Sequence, residues 1–148
     1  MRKPLVYVAG PITGDPWGCV RRGTDAFRAL REIGCVPFLP QLSVLHEMVD
    51  PQPYEAWLAY DFDVIEHCDA LLRLHGDSAG ADREIAHAEA LGIPVHRGHV
   101  PLAWVARWRH AQIVEEAGPP AAALDTPETV YAAVSGESAP TNQETQHG

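Results

Sequence analysis

Short apolar runs alternate with amphipathic stretches along the first two thirds of the chain. Leu5–Ala9 is a β-branched run that ends in Gly10-Pro11-Ile12-Thr13-Gly14, a strand running into a turn. Asp15 to Gly18 reads as an extension of that turn. From about Val20, the residues Ala26, Phe27, Leu30 and Ile33 share one helical face, which Gly34 ends. Cys35–Leu39 reads as a second strand, and Pro37 within it assigns an edge position, because proline has no N–H to give to a ladder. Pro40 to Pro53 reads as a long irregular stretch of the kind that forms lids and binding loops. Tyr54 to His67 has helical spacing, with Trp57, Tyr60, Val64 and Ile65 as its apolar positions. A third strand runs through Leu74 and stops at Gly76, and a polar loop carrying Ser78 and Gly80 follows. From Ala81 the pattern is helical again, with Ile85, Ala88 and Leu91 ahead of Gly92. Ile93–His96 reads as a fourth strand. Two more helices are expected over Leu102–Glu116 and Thr126–Val134, the second opened by Thr-Pro-Glu.

Strands alternating with helices predict a flavodoxin/Rossmann-like, doubly wound parallel sheet in a single α/β domain, because right-handed crossovers place helices on both faces. That domain is expected over residues 1–134. From Ser135 to Gly148 the chain is Ser, Gly, Glu, Pro, Thr, Asn and Gln with little apolar content, the composition of a disordered tail. In a flavodoxin-like strand order the loops after strands one and three flank the switch point. Tyr7, Gly10, Ser78 and Glu84 then converge on one cleft.

Composition narrows the partners. At 148 residues with a formal charge of −9, the chain lacks the basic face that a nucleic-acid polymer requires, although a single nucleotide needs only a local donor cluster. No apolar stretch approaches the roughly 20 residues that span a bilayer, so no membrane partner is expected. The start, Met1-Arg2-Lys3-Pro4, leads straight into a strand without a signal-peptide core, so a cytoplasmic location is expected. Cys19, Cys35 and Cys68 are odd in number and widely spaced, fitting buried thiols rather than a zinc site or a disulfide set.

Glu84, one turn into its helix, is either a charge that complements the helix dipole or a catalytic group above the loop. Asp61, Asp77 and Asp82 give it acidic company, and paired carboxylates are the equipment for cleaving a glycosidic bond. Asp61 is otherwise an exposed helix acid, Asp69 a structural residue at a strand start, Ser78 a capping hydroxyl and Tyr7 a core aromatic. Glu84-x-x-His87 offers two metal ligands one turn apart with no third at a recognisable spacing, so no metal is expected. A G-x-S-x-G elbow and a G-x-G-x-x-G fingerprint are both missing. Trp104 and Trp108, four apart, fit core or a subunit contact.

Tyr7-Val-Ala-Gly-Pro-Ile-Thr-Gly14, Asp61 eight residues ahead of Asp69, and Ser78-x-Gly80-x-x-x-Glu84 together resemble the nucleoside 2-deoxyribosyltransferase-like superfamily, and most nearly its small DUF4406-type branch. The pattern is also similar to the 2′-deoxynucleoside 5′-monophosphate N-glycosidases. The resemblance implies a double displacement on a small-molecule nucleoside or nucleotide, with no cofactor. Glu84 attacks the anomeric carbon, Asp61 protonates or holds the departing base, and Tyr7 orients Glu84. Gly10, Pro11, Ile12, Gly14, Ser78 and Gly80 bind the substrate. Water or a second base then resolves the glycosyl-enzyme, hydrolysis being slightly favoured over transfer. Serine at position 78 rather than aspartate implies a 5′-monophosphate, since a hydroxyl donates to phosphate where a carboxylate repels it. The acidity of Asp77 and Asp82 then requires compensation from Arg21, Arg22, Arg83 or Arg97. The resemblance further implies a homodimer or larger assembly. The rival reading is a non-catalytic nucleotide-binding module on the same fold.

Overall fold

A computed structural model describes residues 2–108. Within them, four strands form one parallel sheet in the order β2-β1-β3-β4: β1 is Leu5–Ala9, β2 Val36–Phe38, β3 Ala70–Arg73 and β4 Val95–Arg97. Helix α1 (Pro16–Glu32) joins β1 to β2. Helices α2 (Ser43–Val49) and α3 (Tyr54–Ile65) lead to β3, and α4 (Ala79–Ala90) leads to β4. The two faces of the sheet carry separate apolar layers. Val6, Val8, Ala70 and Leu72 meet Leu30 and Ile33 at the end of α1. Tyr7, Ala9 and Leu71 meet Ile65 of α3 and Ala81, Ile85 and Ala88 of α4. Period-two alternation thus sends neighbouring residues of β1 to opposite layers, and the sheet is doubly wound as its pattern predicts. Each fully buried Leu or Ile contributes about 1.5–3 kcal/mol through the apolar surface it removes from water.

Strand β2 lies at the sheet edge as Pro37 requires, although it is shorter than the apolar run suggests. Helix α1 starts earlier than expected. Asp15 accepts a hydrogen bond from the Gly18 N–H at 2.9 Å, and Pro16 fills the first helical position, so Asp15 to Gly18 is a cap and first turn rather than loop. Helix α4 likewise begins at Ala79, ahead of the expected Ala81, because Ser78 caps it.

Pro40 to Pro53 differs most from expectation. Instead of an irregular loop it forms a 3-10 turn, Pro40–Leu42, and then α2. Leu45, Met48 and Val49 of α2 are exposed, Val49 at 87%. An apolar set that faces outward leaves no amphipathic contrast with a core, which is why the periodicity was illegible. In α3 the buried residues are Leu58 and Ile65, while Tyr60 is exposed, so the inward face runs 58, 61, 65 and includes Asp61.

Asp69 is structural. It takes two hydrogen bonds from Arg2, at 2.9 and 2.7 Å, and one from the Leu5 N–H at 2.7 Å, fastening the start of β1 beside β3. Cys19, Cys35 and Cys68 are free and buried, and burial pushes the Cys35 thiol up to about 12 and the Cys68 thiol up to about 11. Residues 102–108 are helical, and Trp104, Val105 and Trp108 pack on the α1 side of the core, where the two indole rings lie 4.7 Å apart. These tryptophans are half-buried against that core. The expected extension of that helix to Glu116, the helix at Thr126–Val134, the domain boundary at 134 and the tail from 135 to 148 lie outside the described residues. Among those residues no helix is long and apolar enough to cross a membrane.

Candidate active site

Strands β1 and β3 are neighbours in register, with Ala9 opposite Arg73, so the loops that follow them leave the same edge side by side. This is the crevice at the carboxyl ends of the strands where open α/β sheets bind ligands. Tyr7 lies two residues short of that edge, fully buried, with its ring stacked on Phe38 at a centroid distance of 5.6 Å. Its hydroxyl donates to Glu84 Oε1 at 2.9 Å across the layer between sheet and α4. Glu84 shares the inward face of α4 with Ala81, Ile85 and Ala88 and is itself buried. The inward face of α3 brings Asp61 to the same point, where its carboxyl couples to both Tyr7 and Glu84. Three residues from three elements thus meet in one desolvated cluster.

Burial dominates the electrostatics. It raises the Glu84 carboxyl to about 7, helped by the negative charge of Asp61 and opposed by the Tyr7 hydrogen bond and the charge of Arg73. Asp61 rises to about 6, again by burial, with its bonds to Tyr7 and Glu84 pulling the other way. The Tyr7 hydroxyl is driven far above its ordinary value by burial and the two adjacent carboxylates, so it acts only as a neutral donor. Between about pH 6 and 7 the two acids share a proton, which Glu84, the more deeply buried of the two, holds more tightly than Asp61.

Ser78 caps α4, its oxygen accepting from the Ala81 N–H at 3.2 Å, which leaves its own O–H able to donate elsewhere. Gly80, in the first turn of α4, lies under the side chain of Tyr54: a Cβ there would sit 2.7 Å from the Tyr54 hydroxyl. Gly10 is buried where β1 ends, its missing Cβ matched by Gln41 Nε2 at 3.0 Å and Leu74 at 3.3 Å. Pro11 packs over Gly76, so the two loops touch. Ile12 is half-buried on the first loop, and Gly14 turns that loop at φ +91°. Neither of these two enters the Tyr7–Asp61–Glu84 cluster by a hydrogen bond.

Gly76 is required twice. Its φ of +114° suits only glycine, and a Cβ would meet Pro11 Cγ at 2.9 Å. Gly76→Ala is expected to cost about 2 kcal/mol, read as a lower denaturant midpoint with an unchanged slope.

Three of the four residues expected to compensate the acidity of the loop are otherwise engaged. Arg83 makes a two-pronged bond to Glu55 at 2.8 and 3.0 Å, Arg97 pairs with Glu89 at 3.5 Å, and Arg22 points at Cys19 Sγ at 3.1 Å. Arg21 is exposed on α1. The cation next to the cluster is instead Arg73, whose sequence signal was a charge placed inside the apolar run Leu71-Leu72-Arg73-Leu74. Asp82, counted among the carboxylates, is its partner at 3.3 Å, and Asp77 is exposed. Gln41 also went unnoticed: it is fully buried, its Nε2 donates to the Val8 carbonyl at 3.3 Å, and its Oε1 has no partner. No sequence signal marks it apart from the Pro40 that opens its turn.

Glu84 and His87 do not form a ligand pair. The His87 ring stacks on Phe62 at 4.3 Å and faces Glu66 at 3.4 Å, while Glu84 is bound to Tyr7. Among the described residues no group of three or more His, Cys, Asp or Glu is placed to hold a metal ion. A separate cavity of about 390 Å³ lies between α4 and the ends of β3 and β4, lined by Arg73, Leu74, Asp82, Ile85 and Arg97. Tyr7, Asp61 and Glu84 do not line it.

Residues 4–97 match the family described as "Domain of unknown function (DUF4406)". No curated protein matches the chain. Among solved structures, a 2-deoxyribosyltransferase from the psychrotolerant bacterium Bacillus psychrosaccharolyticus is similar with a TM-score of 0.52 and 22% identity, over 70% of this chain and 81% of that one. At this identity the likeness establishes the shared α/β fold.

Proposed function

The chain belongs to the DUF4406 family, and we propose that it cleaves the N-glycosidic bond of a 2′-deoxynucleoside or its 5′-monophosphate through a glycosyl-Glu84 intermediate. The observation that carries this reading is the buried hydrogen bond from Tyr7 to Glu84 with Asp61 coupled to both, set at the ligand-binding edge of the sheet. Ionised Glu84 attacks the anomeric carbon as its bond to the nucleobase breaks, and protonated Asp61 gives its proton to the departing base. The Tyr7 hydroxyl holds the attacking carboxylate and stabilises its charge until the new bond forms. In the second half Asp61, now a base, takes a proton from water as that water displaces Glu84; with a free nucleobase as acceptor the same step returns a nucleoside. The free Ser78 O–H at the start of α4 supports a 5′-monophosphate, since helix N-termini favour anions. The similarity of fold to a 2-deoxyribosyltransferase supports the substrate class.

A non-catalytic nucleotide-binding module has one observation in its favour: Arg83, one of the cations expected to offset the acidity beside Ser78, is held by Glu55. Chromatography of deoxynucleosides and their 5′-monophosphates incubated with the protein separates the two readings. Free base is expected from at least one substrate. A new nucleoside that appears only with added acceptor base makes the enzyme a transferase. Nucleotide-induced stabilisation without base release would leave the binding module.

A further inference from the structure

We propose that Arg73 is a positioning residue for Glu84: its guanidinium ties the β3–α4 loop and the first turn of α4 into one piece, fixing Glu84 against Tyr7 and Asp61. The inference rests on Glu84 being the nucleophile, as argued above.

Arg73 ends β3 and is 8% exposed, an unusual place for a charge unless its donors are satisfied. They are. One arm of the guanidinium donates to the Leu74 carbonyl, and the other to the Gly76 carbonyl at 2.8 Å and to Asp82 at 3.3 Å. Leu74 and Gly76 belong to the loop that leaves the sheet edge, while Asp82 is in the first turn of α4, two residues before Glu84. The Arg73 backbone is anchored as well, its carbonyl accepting from the Gly98 N–H at 2.8 Å. One planar fork therefore joins strand, loop and helix, a geometry that a lysine ammonium cannot reproduce. Because Gly76 packs on Pro11, the clamp also fixes the first loop of the crevice.

The clamp answers a chemical problem. The displacement requires the shared proton on Asp61 and the charge on Glu84, yet Glu84 is the more deeply buried acid. The groups that face Glu84 are Tyr7 from β1, Asp61 from α3 and Arg73 from β3, and only Tyr7 and Arg73 favour its ionised form. Arg73 is the charged one. Its partner Asp82 is exposed, so solvent screens that carboxylate more than the buried guanidinium.

The test uses the full chain with Arg73→Met and Arg73→Lys. The ionisation of Glu84 is followed by carboxyl-carbon NMR, with its signal assigned by its loss in Glu84→Gln, and kinetics are measured on the substrate that releases base. Arg73→Met is expected to move the Glu84 midpoint up by roughly one pH unit and to lower kcat at least tenfold, with KM changed less than threefold. Arg73→Lys keeps the charge and loses the fork, so kcat falls severalfold with a smaller shift of the midpoint. A merely structural Arg73 would lower the melting temperature and leave the midpoint where it is in the wild type. An unshifted midpoint in Arg73→Met overturns the proposal, and if that variant does not fold, wild-type kcat and midpoint in Arg73→Lys overturn it. Absence of base release by the wild type would overturn the glycosidase reading instead, while the NMR titration would still decide whether Arg73 governs Glu84.

Discussion

Glu84→Gln is expected to lower base release by about three orders of magnitude while nucleotide still raises the melting temperature. The amide keeps the size of the carboxylate and can still accept from Tyr7, so the crevice keeps its shape. It cannot form the glycosyl ester. Steady-state release and a binding isotherm on the same variant check both halves: near-wild-type release would remove Glu84 from the chemistry, and loss of binding as well would make its role structural. In the wild type, release is expected to follow a bell in pH whose limbs belong to the Asp61–Glu84 pair, since only its singly protonated form has both an attacking carboxylate and an acid.

The same substitution is expected to stabilise the protein at alkaline pH. Glu84 rises from 4.5 to about 7 on folding and Asp61 from 3.8 to about 6. A raised carboxyl holds its proton more tightly in the folded state than in the unfolded one. Its contribution to stability is therefore fully present below about pH 4 and is lost as pH climbs through 6 and 7. Glu47 and Glu55 run the other way: hydrogen bonds from Gln52 and Trp57, and from Arg83, hold them below the usual range, so their contribution is lost only as pH falls below it. The windows differ, and a variant at one site isolates its own. Glu84→Gln is expected to gain about 3 kcal/mol over wild type at pH 8 and little at pH 4, seen as melting curves that diverge as pH rises. Equal effects at both pH values would mean that Glu84 is not buried as an acid. Diverging curves would make Glu84 a residue held at the expense of stability, as active-site groups commonly are.

Much of this arrangement was legible in the chain. The apolar runs at β1 and β3 are nearly continuous because both faces of a parallel sheet are covered, and Pro37 gave β2 its edge. Tyr7, Asp61 and Glu84 were readable as a set through motif resemblance, yet their contact depended on strand order and on which face of α3 turns inward. The aromatics of α3 misled there: Trp57 and Tyr60 carry the strongest apolar signal, while Leu58 is buried and Ile65 meets the sheet. Helix α2 was hidden for the same reason, as its large apolar residues face water. Arg73 and Gln41 were missed because their roles lie in bonds to backbone carbonyls, which no side-chain pattern encodes.

The three thiols have a use of their own. Cys19 lies in α1, Cys35 opens the approach to β2, and Cys68 precedes β3, so each marks a different part of the fold. A buried thiol is out of reach of an alkylating reagent until the structure around it opens. The molecule thus carries three internal clocks: the rate at which each cysteine is alkylated measures how often its own region opens. Comparing them would show whether α1, the β2 edge and the centre of the sheet breathe separately or only when the whole domain unfolds.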